Sequence, residues 1–372
     1  MKNLFVAAML PLFLFQPKPK ESYLITGTYT GGKSKGIYVF KFNHRTGEAT
    51  EVSVTETSNP SFVAVSPGEQ FVFAVHEDAN GGKGGKVSSY RFDKQSGRLT
   101  LINTQSTEGD HPCYVDVDKT GRWVFTANYS SGSLSVLPVQ PDGSLGKATQ
   151  TIVHEGSGAN KQRQEKPHVH ATYVSPDNKF LLVPDLGIDK IMVYAFDAAT
   201  GRLTPASQPF LGSEPGAGPR HVDFAPNGKT VYAIEELTGH VTVYRNNDGK
   251  FEKIQRISTV KPGASGFAGS ADIHVSKDGK YLYASNRGDF NDIAVYEIHK
   301  ADGALRLVSH HDVGSAPRNF TINPTGKYLL AGSQGKDEIV VFQRSKATGQ
   351  LKDTGKRIAV GKPVCLKWVG MN

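Results

Sequence analysis

The chain has 372 residues, 38% of them hydrophobic and 21% charged, with 40 glycines and 20 prolines dispersed along it, which excludes a disordered polymer and describes a turn-rich globular protein. Its 43 Lys and Arg against 35 Asp and Glu give a net charge of +8. No basic run is interleaved with aromatics, so this surplus reads as a solvated basic surface or as attraction of a small anion, not as nucleic-acid binding.

In chain order, residues 4–15 (LFVAAMLPLFLF) follow Lys2 and form an apolar run too short to span a bilayer. They fit the core of an export signal, although Pro11 interrupts the run and no A-x-A-like cleavage site follows. The expected organisation is a leader over residues 1–20 and one folded domain over 21–372, with a periplasmic or secreted location, or a cytoplasmic one if the leader is not used. No membrane span is expected.

Gly27 to Ser34 then match G-x-x-x-x-G-K-[ST] letter for letter. The following GIYVFKF alternates with period two and reads as a returning strand, whereas a phosphate-binding loop needs a helix there. Nucleotide binding is therefore not expected.

From here a repeat governs the chain. One series of turns runs Thr46-Gly47, Ser96-Gly97, Asp142-Gly143, Thr200-Gly201, Asp248-Gly249, Asp302-Gly303 and Thr348-Gly349. A second falls between them, at Pro67-Gly68, Thr120-Gly121, Asp177-Asn178, Asn227-Gly228, Asp278-Gly279 and Thr325-Gly326, each flanked by alternating segments such as YLYAS at 281–285. Short Pro-containing or polar segments lead into the strands before these turns, from Asn59-Pro60 to Lys362-Pro363.

A unit of about fifty residues carrying four short strands is a propeller blade. The predicted fold is all-β, a seven-bladed β-propeller of four-stranded blades. The last segment, from Pro363, has no hairpin partner of its own and should close the ring on the N-terminal strand beginning at Tyr23. Cys113 and Cys365 lie in non-adjacent repeats, so no disulfide is expected.

In an antiparallel hairpin the start of one strand and the exit of the next share an end, so both positions of every blade converge on one mouth of the axial channel. The starts supply His111, His168, His170, Arg220, Asp272, His274 and Arg318; the exits supply His76, Glu77, Asn128, Tyr129, Asp185, Glu235, Glu236, Asn286 and Arg287. Some of these satisfy buried backbone groups. Arginines, histidines and acids at one mouth also suit an anion site with a general base. His168 and His170 share a strand face and would suit a metal, but no four-ligand set is identifiable, and neither metal nor cofactor is expected. No G-x-S-x-G or H-E-x-x-H occurs.

The segments HPCYVDVDKTGRWVFTANYSSGSLSVLPV, PHVHATYVSPDNKFLLVPDLGIDKIMVYAF, GPRHVDFAPNGKTVYAIEEL and ADIHVSKDGKYLYASNRG resemble the propeller-type 6-phosphogluconolactonases, a lactonase family that also includes fungal carboxymuconate lactonising enzymes. The resemblance runs from about Tyr23 to the end. It implies a site of one histidine, two arginines and one glutamate, here His170, Arg220, Glu236 and Arg287. Glu235 departs from the asparagine often found before that glutamate. The expected reaction is hydrolysis of a small anionic sugar lactone, with His170 or Glu236 activating water and arginines holding the carbonyl and the anionic group. His168, Asp272, His274, Asn128, Asn286 and Arg318 are the expected substrate contacts. A muconate-type cycloisomerase, a metal-dependent lactonase and a non-catalytic sugar- or protein-binding propeller are the alternatives.

Overall fold

The computed structural model describes residues 20–79, 81 and 84–371. The leader expected over 1–20 lies outside the described residues except for Lys20. Seven four-stranded antiparallel sheets surround an axis, as the repeat predicts. Blade 5 is typical: Pro219–Phe224 lies innermost, followed outward by Thr230–Glu235, His240–Asn247 and Lys250–Ser258.

The ring closes where expected. Pro363–Gly370 becomes the innermost strand of blade 1 and pairs antiparallel with Glu21–Thr28, placing Leu24 opposite Trp368 and Thr26 opposite Leu366. The first and last strands described are thus joined by a ladder of backbone hydrogen bonds, which closes the ring.

Burial explains the strand sequences. Second strands such as Tyr281–Asn286 (YLYASN) and Tyr328–Ser333 (YLLAGS) are buried along their whole length because another blade covers each face. Outermost strands such as Ala49–Glu56 (ATEVSVTE) face water and carry charge. The cores lie between blades: Tyr232, Ile234, Val241 and Val243 of blade 5 pack on Ile273, Leu282 and Tyr296 of blade 6. Each such aliphatic contributes about 1.5–3 kcal/mol on burial.

All seven glycines of the first turn series have positive φ. Their turns also dock on the neighbouring blade. A Cβ on Gly249 would sit 2.2 Å from the Phe180 ring in blade 4, so both the φ of +83° and the close approach demand glycine. In the second series the left-handed residue of blade 2 is Glu69 (φ 54°), not Gly68, so the Pro67-Gly68 turn runs one residue later than its sequence suggests. The segment from Gly27 to Ser34 ends a strand and is followed by the strand Gly36–Asn43, without a helix.

At the opposite end the strand starts are irregular. His111, Gly218, Gly269, Ala316 and Lys362 all have positive φ immediately before an inner strand, as does Asn59 four residues before Val63. Ladder registers shift between Pro112 and Tyr114, Pro219 and His221, Ser270 and Ile273, and Pro317 and Phe320. Such bulges free consecutive side chains from strict alternation and turn them toward the mouth. Among the described residues no helix is long and apolar enough to cross a membrane.

Candidate functional site

The mouth holds a cavity of about 480 Å³, large enough for a monosaccharide-sized molecule. Two repeated positions build most of it. The bulged strand starts contribute Cys113, His170 and Arg318; the residues just beyond the second strands contribute Glu77, Tyr129, Glu236, Arg287 and Gln334. Crossovers between blades add Arg163 and Phe267.

Glu236 is the hub. Its Oε2 lies 2.9 Å from Arg220 Nε and 2.9 Å from Arg287 Nη2, and its Oε1 accepts from Arg163 Nη2 at 2.7 Å. Burial alone would raise this carboxyl; the guanidinium groups of Arg287, Arg220 and Arg163 overcome it and hold Glu236 far below the usual carboxylate range. Burial pulls Arg287 down to about 9, with Glu236 opposing, so it remains protonated at neutral pH.

Arg220 is 1% exposed and does not line the cavity. It donates to the Ala271 carbonyl, and its Nη1 lies 3.2 Å from His221 Nε2. His221 Nδ1 in turn bonds Asp272 Oδ1 at 2.8 Å. Burial and Arg220 drop His221 to about 3, making it a neutral link between the acid and the arginine.

His170 behaves differently. It is 4% exposed, its ring meets Tyr129 and His221 edge-on at 5.7 and 5.3 Å, and its Nδ1 has no hydrogen-bond partner. Burial, and then Arg220, His221, Arg318 and Arg287, keep it well below the ordinary histidine value of 6.5. A neutral imidazole, unpartnered at its buried Nδ1, therefore lines a cationic cavity.

The four residues expected to form the core of the site, His170, Arg220, Glu236 and Arg287, are thus brought together at one mouth. Arg318 lines the same cavity. The other expected substrate contacts do not. Asn128 and Asn286 are fully buried ends of second strands; they donate to the carbonyls of Thr107 (2.9 Å) and Thr259 (2.7 Å) and fasten crossovers to their sheets. Glu235 and Asp185 occupy the same position and are likewise consumed, Glu235 by Arg256, Thr238 and Thr242, Asp185 by His154 and the His168 amide. In blades 2, 3, 5, 6 and 7 the residue that follows the last strand residue lines the cavity, whereas in blade 4 it is Leu186, which is fully buried.

His168 stacks on Tyr129 at 4.4 Å and meets Glu165 Oε1 at 3.1 Å, apart from the His170 imidazole, so the H-x-H pair does not present two nitrogens to one point. Asp272 lies below the cavity, where its Oδ2 meets His274 Nε2 (2.9 Å) and accepts from Asn319 Nδ2 (2.5 Å). Burial opposes the charge on His274, but Asp272 prevails and raises it. Neither side chain lines the cavity. Among the described residues no group of three or more His, Cys, Asp or Glu is placed to hold a metal.

Sequence reasoning missed Tyr29, Arg163, Phe267 and Gln334. Tyr29 and Gln334 occupy the exit position of blades 1 and 7 and were findable by register. Arg163 sits in the long crossover from Val153 to Tyr173, whose unusual length was the only signal. Phe267 is 47% exposed at the rim. Cys113 lines the cavity, but burial raises its thiol far above the ordinary value. A wider open groove of about 1720 Å³ on the turn face mixes lysines and acids with no converging set.

Residues 23–368 match the family described as Lactonase, 7-bladed beta-propeller. A 6-phosphogluconolactonase of Bacillus subtilis is 37% identical over 92% of this chain and 97% of its own length. Another from Formosa agariphila is 35% identical over 91% and 96%. The solved structure of a periplasmic gluconolactonase from Pseudomonas aeruginosa superimposes with a TM-score of 0.90 at 37% identity, covering 95% of this chain and 100% of that one. With seven blades, a closed ring and a match over nearly its whole length, the chain belongs to the seven-bladed β-propeller lactonase family.

Proposed function

We propose that the cavity hydrolyses a sugar lactone by general-base attack of water, with His170 as the base. The observation that carries this is the contrast between the two candidates. Glu236 has given its basicity to three guanidinium groups, whereas the imidazole of His170 is neutral, lines the cavity and is engaged by no hydrogen bond among the described residues.

A water beside His170 loses a proton to the imidazole as its oxygen attacks the ring carbonyl. Arg287 and Arg163, held at the cavity by Glu236, offer N–H groups to the developing oxyanion. Collapse breaks the bond from the acyl carbon to the ring oxygen, which takes the proton back from His170 and leaves a hydroxy acid. No covalent intermediate with the protein is needed.

Names of relatives support both a phosphorylated lactone and an unphosphorylated one outside the cytoplasm. The leader-like residues 4–15 favour the exported setting. Proton release on a panel of aldonolactones and uronolactones, with and without phosphate, tests the reading. It fails if the wild-type protein opens none of them faster than buffer, or if His170→Ala retains full turnover.

A further inference from the structure

Four guanidinium groups, Arg163, Arg220, Arg287 and Arg318, stand at the mouth against the carboxylates Glu77 and Glu236, with Asp272 behind Arg220, so the arginines outnumber the acids. Three of the four are committed to Glu236. Arg318 is not. Among the described residues its guanidinium makes no hydrogen bond and no ion pair; it lies 5.5 Å from the Tyr29 ring, whose hydroxyl donates to Glu77 Oε2 at 2.8 Å, and Glu77 and Glu236 favour its charge from beyond contact.

The backbone aims this side chain on purpose. Ala316 has a φ of 49°, its N–H bonds Asn291 Oδ1, and the ladder shifts register between Pro317 and Phe320, so Arg318 and Asn319 both leave the pleat. Asn319 turns down to Asp272 and Leu366, and Arg318 turns up into the cavity. A half-buried fork with five donors and no acceptor is a standing demand for an anion.

We infer that Arg318, and neither Arg220 nor Arg287, receives the anionic substituent of the substrate, a phosphate or carboxylate remote from the lactone carbonyl. This rests on the lactonase reading and deepens it: the reacting carbonyl lies toward His170 and Arg287, the charged tail toward Arg318 and Tyr29. Glu77, anchored by Tyr29, accepts from hydroxyls between the two ends and keeps Arg318 from pairing with the wrong end of the substrate. The arginine therefore sets which lactones are preferred.

The test compares glucono-1,5-lactone, its 6-phosphate and a hexuronolactone with a free carboxylate, using the full-length protein and its Arg318→Gln and Arg318→Lys variants. The expected result is that the ratio of kcat/KM for an anionic lactone over the neutral one falls about thirtyfold in Arg318→Gln and recovers partly in Arg318→Lys. Loss confined to the phosphate or to the carboxylate lactone identifies which anion the subsite reads. A ratio unchanged in Arg318→Gln, or no wild-type preference for either anion, overturns the inference while leaving lactone hydrolysis intact. Should the wild type open no lactone, calorimetric titration with inorganic phosphate decides separately. Binding lost in Arg318→Gln sustains the subsite; binding absent from the wild type or equal in both proteins removes it. Arg318→Lys, with its charge kept, and thermal melts of both variants separate loss of the subsite from loss of the fold.

Discussion

The two ends of each blade hairpin obey different rules. At the turn end, one solution recurs seven times: a left-handed glycine whose turn lies against a side chain of the neighbouring blade, as Gly249 does on Phe180 and Gly349 on Tyr281. At the mouth end the backbone is repeated but the side chains are not. The same strand-start position carries Cys113, His170, Arg220 and Arg318 in different blades, and the same exit position carries Glu77, Tyr129, Glu236, Arg287 and Gln334. Repetition at one end makes a rigid ring, and divergence at the other makes a site.

Substitutions at the two ends should therefore separate activity from stability. The largest effect is expected for His170→Ala, a loss of about a thousandfold in kcat/KM with an unaltered thermal melt. The same histidine sets the acid limb of the pH profile. Its folded value is held well below 6.5, so the neutral base persists as pH falls through the ordinary histidine range, and kcat/KM should decline only below it. A limb centred at or above 6.5 would assign the base elsewhere.

Arg287→Ala is expected to lower kcat/KM at least about tenfold, about 1.4 kcal/mol of transition-state stabilisation. Unchanged turnover would remove this arginine from the oxyanion. Arg163 is 37% exposed and is one of three partners of Glu236, so Arg163→Gln should cost only about fivefold, about 1 kcal/mol, and the deficit should shrink as salt screens the wild-type pair. At the far end, Gly249→Ala should leave kcat/KM within error. Its Cβ would meet Phe180 at 2.2 Å, and a destabilisation of about 1–3 kcal/mol should appear as a lower melting temperature. Lost activity in a still-folded Gly249→Ala protein would mean that the two ends are not independent.

This division also explains what was legible in the sequence. Blade number, ring closure and the convergence of His170, Arg220, Glu236 and Arg287 followed from turn signals and register, which are local and periodic. The orientation of individual mouth residues did not. Asn286 and Arg287 are neighbours with similar polarity, and only the strand end decides that the first bonds Thr259 and the second faces the cavity. Arg220 looked like a substrate fork and is instead buried behind Glu236, because the bulge at Pro219 turns it toward Ala271 and His221. Arg163 comes from an aperiodic crossover, where neither repeat nor register reports on the side chain.

The strand Pro363–Gly370 carries none of the cavity residues, yet it completes the blade beside Tyr29 and Arg318. Every group needed for chemistry is therefore synthesised before the enclosure that unites them can shut. During translation the nascent polypeptide stays an open arc until this strand is made and pairs with Glu21–Thr28. A stop codon placed just ahead of Pro363 would spare the whole constellation in sequence and abolish it in space.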